Sequence, residues 1–520
     1  MRAILWFPIA PVLLGGVLLL MTGSMPAIAE QSSLTGTDCW FKAPDDLTVD
    51  CYRLAVPETR DFDLAVGPGK MLSLPVAIIR AGKPYEERQA DPVVYLAGGP
   101  GDGAWLDSER IDWWWDFVSS TDWARKRDLI LFDQRGSGLV EPRIDCPEME
   151  KVAIRLLTTT DETLAAKLQQ DAATTCAKRL VAEGHNPGAY TSRDGAADLH
   201  DLYQALKIPA WNVYGLSYGT RLGLEYMRQY PKDIRSVILD SVLPPEAQFL
   251  EEDATTTDRA FRMVFDACAQ QPKCHSAYGD LGARMTALVE RFDKIPLILL
   301  RPNPEGGSKI TILLTGDLLI SRLFNLLYNR ADIETVPQLI DIYDREDMDE
   351  IERDFDDFVA DYLGRPDFGD AMFMAVHCQE EVPFNDMAKA IAAYRRYPLL
   401  AGLATGGEAG SFAATCAAWR DALPAQPLRA ADNEPVVSDL PTLVLSGLYD
   451  PVTPPVYGRS AASHLVNGFY LEFDGIGHDA LGNDYCANVI AEKFLDQPQS
   501  PPRDPCLGEM TPPEFQMPVR

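Results

Sequence analysis

Short, continuous apolar runs recur between residues 91 and 245 and again after residue 435, separated by segments whose apolar positions have helical spacing. The runs do not alternate with polar residues, which is typical of strands buried on both faces of a parallel sheet. Helices are predicted between them, for example at Asp194–Leu206 and Tyr218–Tyr230. The runs predict strands at Pro92–Ala97, Asp128–Phe132, Trp211–Tyr214, Ser236–Leu239, Pro441–Ser446 and Phe469–Phe473.

The predicted strands stop between residues 245 and 430, where helical stretches such as Leu318–Leu327 and Ile351–Leu363 dominate. Strand–helix alternation on both sides of such a gap indicates one α/β sheet that an insertion interrupts. The predicted fold class is therefore α/β, a mostly parallel sheet with a large, mainly helical cap. Its predicted parts are a leader at 1–29, the first part of the core at 30–245, the cap at 246–430 and the second part of the core at 431–520.

The leader at 1–29 has the pattern of an export signal. Arg2 gives it a positive start, residues 4–21 are apolar apart from proline and glycine, and the Ala-Ile-Ala sequence at 27–29 offers the small residues that a signal peptidase requires. We expect an exported chain, periplasmic or secreted after signal cleavage; an uncleaved anchor is the alternative. No second apolar run of about 18 residues follows, so we expect no membrane span in the mature chain.

The chain is strongly acidic, with 47 Lys and Arg residues against 77 Asp and Glu residues and a formal net charge of −30. A surface of this sign repels phosphate backbones and attracts cationic ligands, so we expect no nucleic acid partner. Hydrophobic residues at 46% and charged residues at 24% are typical of globular proteins. A disordered or fibrous protein is therefore excluded.

All ten cysteines follow the leader, which favours disulfides in an exported protein. No Cys-x-x-Cys sequence occurs, and no histidine has zinc-finger spacing from a cysteine pair, so we expect no metal site. Pairing between sequence neighbours is the hypothesis, and buried thiols are the alternative. The hypothesis pairs Cys39 with Cys51, Cys146 with Cys176, Cys268 with Cys274, Cys378 with Cys416 and Cys486 with Cys506.

The strongest chemical motif is Gly215-Leu-Ser-Tyr-Gly219, which lies between a predicted strand and a predicted helix. In that context the motif predicts a nucleophile elbow, a turn so tight that glycine must flank the serine. Such a turn lifts the Ser217 hydroxyl above the edge of the sheet and points the N-terminus of the helix at the reacting oxygen. Ser217 is therefore the predicted nucleophile.

A serine nucleophile needs a base, and His478 is the best candidate among the six histidines. It lies in a glycine-rich loop directly after the last predicted strand, and the chain order serine, acid, histidine requires a late histidine. The acid must then lie between Ser217 and His478. Asp450 is the predicted acid because it follows the end of a strand, and Asp240 and Asp474 are the alternatives.

The oxyanion of such a reaction needs backbone N–H donors. Tyr218, the residue after the nucleophile, is one predicted donor, and Gly99 in the loop Gly98–Gly101 is the other. A Gly-Gly-Pro-Gly sequence by itself is more often an ordinary turn, and the predicted elbow is what makes it specific. The sequence lacks the spacing of a dinucleotide fingerprint and has no Walker loop, so no nucleotide cofactor is expected.

Three motifs in this order, Gly98–Gly101, Asp133–Gly138 and Gly215–Gly219, resemble those of the α/β-hydrolase serine peptidases of the prolyl aminopeptidase and tripeptidyl aminopeptidase group. The region from Leu443 to His478 is similar to the TAP-like C-terminal region of secreted tripeptidyl aminopeptidases. The resemblance covers residues 90–245 and 435–490 and does not extend to the cap.

The resemblance implies the α/β-hydrolase fold and a serine exopeptidase that needs neither metal nor cofactor. It makes Ser217, Asp450 and His478 the triad. Prolyl enzymes usually carry a histidine where this chain has Leu96-Ala97, a departure from strict prolyl specificity. The Asp133–Gly138 motif is expected to be scaffold for the site.

An aminopeptidase also binds the substrate ammonium, and in this family acidic residues of the cap bind it. The best candidates are Glu380 and Glu381, next to Cys378, because a segment held by a cysteine could keep a carboxylate rigid. A solvent-facing pair of glutamates is the alternative.

The predicted function is an exported serine hydrolase, an aminopeptidase of prolyl or tripeptidyl type that acts on short peptides with a free N-terminus. The alternatives are an esterase or lactone hydrolase with the same triad, and a catalytically silent binding module. The sequence predicts no oligomeric state.

Overall fold

The protein is built around one nine-stranded sheet. The computed structural model describes residues 32–60, 70–82, 88–303, 308–363, 367–403, 408–425 and 427–518. The predicted leader at 1–29 lies outside the described residues. The strands are β1 (Ser33–Thr37), β2 (Val49–Pro57), β3 (Met71–Ile79), β4 (Val93–Leu96), β5 (Leu129–Phe132), β6 (Trp211–Leu216), β7 (Ile234–Asp240), β8 (Leu297–Arg301), β9 (Ile310–Leu314), β10 (Thr442–Gly447) and β11 (Gly468–Phe473).

The strand order in the sheet is β1-β2-β3-β5-β4-β6-β7-β10-β11, and β8 pairs with β9 in a separate hairpin. The pairs from β5 to β11 along this order are parallel, and those from β1 to β5 are antiparallel. The strands β5, β6, β7 and β10 are almost entirely buried, because helices cover both faces of the sheet. The predicted α/β fold class is confirmed, and each of the six predicted strands is present.

Helices connect the strands on both faces of the sheet and build most of the cap. Within the described ranges, none of them combines the length and the apolar character that crossing a membrane requires. They are α1 (Asp112–Ser120), α2 (Asp122–Lys126), α3 (Pro147–Leu156), α4 (Glu162–Ala182), α5 (Ser192–Leu206), α6 (Tyr218–Gln229), α7 (Phe249–Gln270), α8 (Pro272–Tyr278), α9 (Leu281–Lys294), α10 (Gly316–Leu326), α11 (Arg330–Ile333), α12 (Val336–Asp344), α13 (Met348–Leu363), α14 (Asp370–Val376), α15 (Met387–Tyr394), α16 (Glu408–Ala422), α17 (Pro455–Ser463), α18 (Ala480–Asn483) and α19 (Tyr485–Asp496).

The cap separates β7 from β10 in the sequence, although these strands are neighbours in the sheet. It consists mainly of the helices α7 to α16, with the hairpin β8–β9 as its only strands among the described residues. Its buried side chains, such as Phe261, Leu288, Leu323 and Phe355, belong to one hydrophobic cluster, which also includes Leu157, Tyr449 and Phe515 of the core. The large, mainly helical insertion is therefore confirmed, and its boundaries at 246 and 430 stay a prediction.

The ten cysteines form five disulfides, and each joins the pair that the sequence predicts. Cys378–Cys416 ties the end of α14 to α16, and Cys486–Cys506 ties the C-terminal tail to α19. Loops closed in this way stabilise the fold chiefly by restricting the unfolded chain. Five disulfides are also compatible with an exported protein.

Candidate active site

The turn between β6 and α6 has the geometry of a nucleophile elbow. Ser217 has a φ of 55° and a ψ of −123°, a conformation that non-glycine residues adopt only at a cost in free energy. A Cβ atom on Gly215 would lie 2.5 Å from the carbonyl oxygen of Gly219, and a Cβ atom on Gly219 would overlap the carbonyl oxygen of Leu96. Glycine is therefore required on both sides of Ser217, as the motif predicts.

The predicted acid and base meet where two neighbouring strands end. Asp450 follows β10, His478 follows β11, and Oδ2 of Asp450 lies 2.9 Å from Nδ1 of His478. Both side chains are buried. Because an ionised carboxylate can only accept a hydrogen bond, Nδ1 carries the proton and Nε2 is left as the acceptor. This is the tautomer that a general base for a serine requires.

The loop after His478 is held against the strand next to the candidate nucleophile. Ala480 and Leu481 donate their N–H groups to the two carboxylate oxygens of Asp240, at 3.0 and 2.8 Å. Ser217 donates its N–H to the carbonyl oxygen of the same Asp240, at 3.0 Å. Ser217 and His478 therefore lie at the same edge of the sheet. The carboxylate of Asp240 binds the loop backbone, so it does not take the place of Asp450.

Thr453 is a residue of this site that the sequence analysis missed. Its N–H and its hydroxyl donate to the two carboxylate oxygens of Asp450, at 2.8 and 2.7 Å, and its Oγ1 lies 3.2 Å from Nδ1 of His478. The N–H of Val452 donates to Asp450 as well, at 2.9 Å. The orientation of the carboxylate is therefore fixed before substrate arrives. The available signal was the sequence Asp-Pro-Val-Thr, since aspartate commonly binds the backbone two residues on.

The electrostatics of the pair favour an ionised acid and a basic imidazole. Burial opposes the charge on Asp450, but His478 and the hydrogen bonds from Thr453 outweigh it and hold the pKa of this carboxyl below its ordinary value. Burial also opposes a charge on His478, but the charge and the hydrogen bond of Asp450 raise the pKa of the imidazole above its ordinary 6.5.

Two family matches decide the class of the chain. Residues 91–282 match the family described as alpha/beta hydrolase fold, and residues 405–506 match the family described as TAP-like protein. The first match contains Ser217, and the second contains Asp450 and His478. The chain is a serine hydrolase of the α/β-hydrolase fold.

Relatives of this hydrolase include proteins named as peptidases. It is 27% identical to the serine protease Hip1 of Mycobacterium tuberculosis, over 87% of this chain and 86% of the relative. It is 29% identical to the tripeptidyl aminopeptidase of Streptomyces coelicolor, over 42% of this chain and 40% of the relative. It is 26% identical to the proline iminopeptidase of Arabidopsis thaliana, over 31% of this chain and 28% of the relative. The resemblance to this peptidase group is thus confirmed.

The glycine loop after β4 lies beside the candidate nucleophile. A Cβ atom on Gly98 would be 3.2 Å from Cβ and 3.7 Å from Oγ of Ser217. Gly99 has a φ of +100°, a conformation that favours glycine. Tyr218 is the first residue of α6, so its N–H has no acceptor within the helix. The predicted oxyanion donors, Gly99 and Tyr218, directly follow Gly98 and Ser217 in the sequence. Their role as donors stays a prediction.

The loop that follows β5 supports the glycine loop. Asp133 accepts the N–H groups of Ala104 and Leu139, each at 2.7 Å. The side-chain amide of Gln134 donates to the carbonyl oxygen of Ala97 at 2.8 Å. These contacts agree with the scaffold role expected for this motif.

Glu380 and Glu381, the predicted ammonium ligands, lie in the π-helical turn His377–Glu381. The disulfide from Cys378 ties this turn to α16, as expected for a rigid segment. Each glutamate is only 3% exposed, so the pair does not face solvent. A buried carboxylate needs partners that compensate for the lost water.

The partners of the two glutamates differ. Glu380 accepts the N–H and the hydroxyl of Ser192, both at 2.6 Å, and Nε of Arg221 at 3.2 Å. Oε2 of Glu381 forms a short hydrogen bond with Nδ1 of His377. Oε1 of Glu381 has no hydrogen-bond partner within the described part of the chain, and Nη1 of Arg221 is 3.9 Å away. Both carboxylate oxygens of Glu380 therefore accept hydrogen bonds, whereas Oε1 of Glu381 accepts none within the described part of the chain.

These carboxylates lie against the helix that begins at the candidate nucleophile. Arg221, which contacts both, is one helical turn beyond Ser217, and the hydroxyl of Tyr218 is 3.1 Å from Oγ of Ser192. Burial raises the pKa of Glu380 to about 7 in spite of Arg221. Burial acts on Glu381 in the same direction, but the neighbouring histidine and Arg221 hold its pKa below the ordinary value.

A cap residue, Tyr328, contacts the candidate base directly, which the sequence analysis did not predict. Its carbonyl oxygen accepts the N–H of His478 at 2.9 Å, and the two rings have centroids 5.0 Å apart. A Cβ atom on Gly477 would overlap the carbonyl oxygen of Leu327. The glycine in this loop therefore allows the cap and the histidine loop to approach closely.

The pH dependence of ester hydrolysis follows from the environment of His478. We expect kcat/KM to fall with decreasing pH through an apparent pKa above 6.5, because the protonated imidazole cannot accept the proton of Ser217. A simple ester should be the substrate, since titration of Glu380 could affect a peptide. Asp450→Asn should lower this apparent pKa. A wild-type acid limb at 6.5 or below would contradict the assignment.

The hydroxyl of Thr453 is expected to matter for turnover. Thr453→Val removes a hydrogen bond to the charged Asp450 and leaves the carboxylate less well oriented, which should lower kcat about tenfold or more. Thr453→Ser keeps the hydroxyl and should retain most of the activity. Steady-state kinetics on an ester measure both variants, and loss of activity in Thr453→Ser with activity retained in Thr453→Val would show that the methyl group rather than the hydroxyl matters.

Proposed function

We propose that this hydrolase is an exported aminopeptidase, of prolyl or tripeptidyl type, that releases residues from the free N-termini of short peptides. Its relatives named as peptidases support peptide substrates. Its five disulfides support an oxidising compartment, either the periplasm or the exterior of the cell.

The proposed mechanism is acyl transfer through Ser217. Oγ of Ser217 attacks the scissile carbonyl while Nε2 of His478 takes its proton, and Asp450 stabilises the imidazolium that forms. The amides of Gly99 and Tyr218 bind the developing oxyanion. His478 then gives the proton to the departing nitrogen. In the second half of the reaction, water activated by the same imidazole hydrolyses the acyl-enzyme.

The observation that carries the exopeptidase proposal is the unpartnered Oε1 of Glu381. Leaving a buried acceptor without a partner costs about 1–3 kcal/mol, and more when the group is charged. A substrate ammonium supplies the hydrogen-bond donors that this oxygen does not find within the described part of the chain. Glu380 has its own partners, Ser192 and Arg221, and its role in this proposal is to hold Arg221 and the turn in place.

Replacing Glu381 by glutamine tests the ammonium site. Glu381→Gln removes the charge but keeps the shape, so kcat/KM for peptides with a free N-terminus should fall about 100-fold, by loss of a charge-assisted contact. Turnover of a simple ester should stay near the wild-type value, because an ester has no ammonium. Glu290→Gln, at a cap glutamate that is 64% exposed, is the matched control and should change neither rate.

The same peptides with an acetylated N-terminus complete the experiment. The wild-type enzyme should cleave only the free forms, and the variant should lose that discrimination. Equal turnover of free and acetylated peptides by the wild type would contradict the aminopeptidase proposal. Turnover of esters alone would favour the esterase alternative, and no labelling of Ser217 by a fluorophosphonate would favour the silent binding module.

A further inference from the structure

The ring of Tyr328 stands between the proposed base and solvent on the cap side of the site. Its centroid is 5.0 Å from that of His478, with the two planes at 60°. Tyr328 is 37% exposed, whereas His478 is buried. A molecule that reaches the imidazole from this side therefore meets the face or the edge of an exposed aromatic ring.

The backbone at Tyr328 is held by contacts with neighbouring segments. The carbonyl oxygen of Tyr328 accepts the N–H of His478 at 2.9 Å. Two residues further on, Arg330 donates to the carbonyl oxygens of Asp474 and Thr511, at 3.5 and 3.2 Å. The cap segment, the histidine loop and the C-terminal tail are thus joined at one place. A side chain on a backbone segment held in this way starts from a defined position, which favours pre-organised contact with a ligand.

A second aromatic ring extends the same surface. Phe324, in the last turn of α10, has its ring centroid 6.1 Å from that of Tyr328, with an interplanar angle of 68°. Edge-to-face pairs of this kind are favourable. Phe324 also packs against the hydrophobic cluster that fills the cap, so it connects the ring of Tyr328 to that cluster.

The reaction places one part of the substrate next to these rings. The nitrogen of the departing group must come within about 2.6–3.2 Å of Nε2 of His478 to receive its proton. In a peptide, that nitrogen belongs to the first residue of the departing part. The side chain of this residue is attached to Cα, the atom bonded to that nitrogen, and therefore lies beside the imidazole and within reach of Tyr328.

We propose that Tyr328, supported by Phe324, forms the subsite for the first residue of the departing peptide, and that this subsite selects an apolar or aromatic side chain. The inference rests on the proposed roles of Ser217 and His478. It concerns the leaving side of the substrate and is independent of the ammonium site at Glu381. It makes Tyr328 a specificity-determining residue contributed by the cap.

Partitioning of an acyl-enzyme tests this subsite. 4-Nitrophenyl acetate acylates Ser217 and releases 4-nitrophenolate. The acetyl group then passes either to water or to an added amine, whose nitrogen bonds to the acyl carbon while Oγ of Ser217 leaves and recovers a proton through His478. The amine occupies the place of the departing residue, so the ratio of amide to acetate reports how well each amine binds there.

Glycinamide, leucinamide and phenylalaninamide are the acceptors to compare. In the wild type, the leucine and phenylalanine compounds should give about tenfold more amide than glycinamide, as expected for filling an apolar pocket. Tyr328→Ala should bring the three acceptors to the same efficiency, and Tyr328→Phe should keep the wild-type preference. Tyr485→Ala, at a tyrosine of α19 that is 78% exposed, is the matched control and should keep it as well.

The ratio separates specificity from a purely structural role. If Tyr328 only supported His478, Tyr328→Ala would slow acylation and both outcomes of deacylation, and the preference among acceptors would persist; that result would overturn the proposal. Equal use of the three acceptors by the wild type, or no amide product at all, would overturn it too. Absence of the burst of 4-nitrophenolate identifies a variant that has failed to fold, in which case Tyr328→Leu replaces Tyr328→Ala.

The assay also separates this inference from the aminopeptidase proposal. It needs no free N-terminus and no ammonium site, so it gives the same answer in Glu381→Gln. Cleavage of acetylated peptides would remove the aminopeptidase proposal and leave the acceptor preference intact. Loss of the preference in Glu381→Gln but not in Tyr328→Ala would place the subsite elsewhere and overturn the inference.

Discussion

Replacing Ser217 by alanine is expected to lower kcat/KM by about 10⁴-fold or more for peptides and esters alike. The elbow presents the side chain of Ser217 at the end of β6, with glycine two residues before and two residues after it. Alanine has no hydroxyl, so the nucleophile is lost. What remains is binding and oxyanion stabilisation, which act on the uncatalysed attack of water. Fluorophosphonate labelling and steady-state kinetics measure the loss.

The fold should tolerate this change. Alanine keeps the Cβ atom that the turn already accommodates, so the free energy of unfolding should change by no more than about 1 kcal/mol. Ser119→Ala, at a serine near the end of α1, is the matched control and should keep full activity. Residual turnover of Ser217→Ala within tenfold of the wild type would mean that another residue is the nucleophile.

Asp450→Asn should lower kcat by about 10⁴-fold, with the fold intact. The amide group of asparagine can donate a hydrogen bond to Nδ1 of His478, and the imidazole then carries its proton on Nε2, where it cannot accept the proton of Ser217. The charge that stabilises the imidazolium is lost at the same time. Steady-state kinetics on an ester measure the effect at the triad without involving the ammonium site.

Asp240→Asn is the informative comparison for the acid. Burial and the neighbouring charge of Asp479 raise the pKa of Asp240 above its ordinary value. Its oxygens hold the N–H groups of Ala480 and Leu481, and asparagine can replace only one of these contacts. We expect reduced stability but a smaller loss of kcat than in Asp450→Asn. The opposite ranking would reassign the acid to Asp240.

The predicted strands of the sheet correspond closely to the observed ones because a buried strand is visible as a local pattern of apolar residues in the sequence. A strand covered by helices on both faces has no polar side, so β5 and β10 appear as apolar runs that end where the loops begin. The chemistry then follows from position. In parallel strands the carboxyl ends share one edge of the sheet. Ser217, Asp450 and His478, which follow β6, β10 and β11, therefore lie at that edge.

The three N-terminal strands were not predicted, and each lacks that signal. β1 is short and mostly exposed, and β2 alternates between buried and half-exposed positions with charged residues among them. β3 is apolar but contains Pro75, and a proline inside a run argues against a strand. Pairing with β2 and β5 on its two sides is what makes β3 a strand in the folded protein.

The cysteine pairing was predicted correctly because each disulfide is local. The sequence separations are 6 to 38 residues, so the partners are near each other along the chain and close small loops. Short closures cost little entropy and form between elements that are neighbours in any compact arrangement. The order of the cysteines along the chain was therefore enough to predict which of them pair.

The amino-acid sequence by itself was enough to predict the class of the fold and the candidate triad Ser217, Asp450 and His478, and its hypothesis for the five disulfide pairs agrees with the structure, because all of these depend on local pattern and on chain order. Only the tertiary structure decided that Glu380 and Glu381 are buried, that Oε1 of Glu381 has no hydrogen-bond partner among the described residues, and that Tyr328 contacts the candidate base. Those features depend on contacts between distant segments, such as Ser192 with Glu380, 188 residues apart. No local pattern encodes which segments of a helical cap will meet the edge of the sheet.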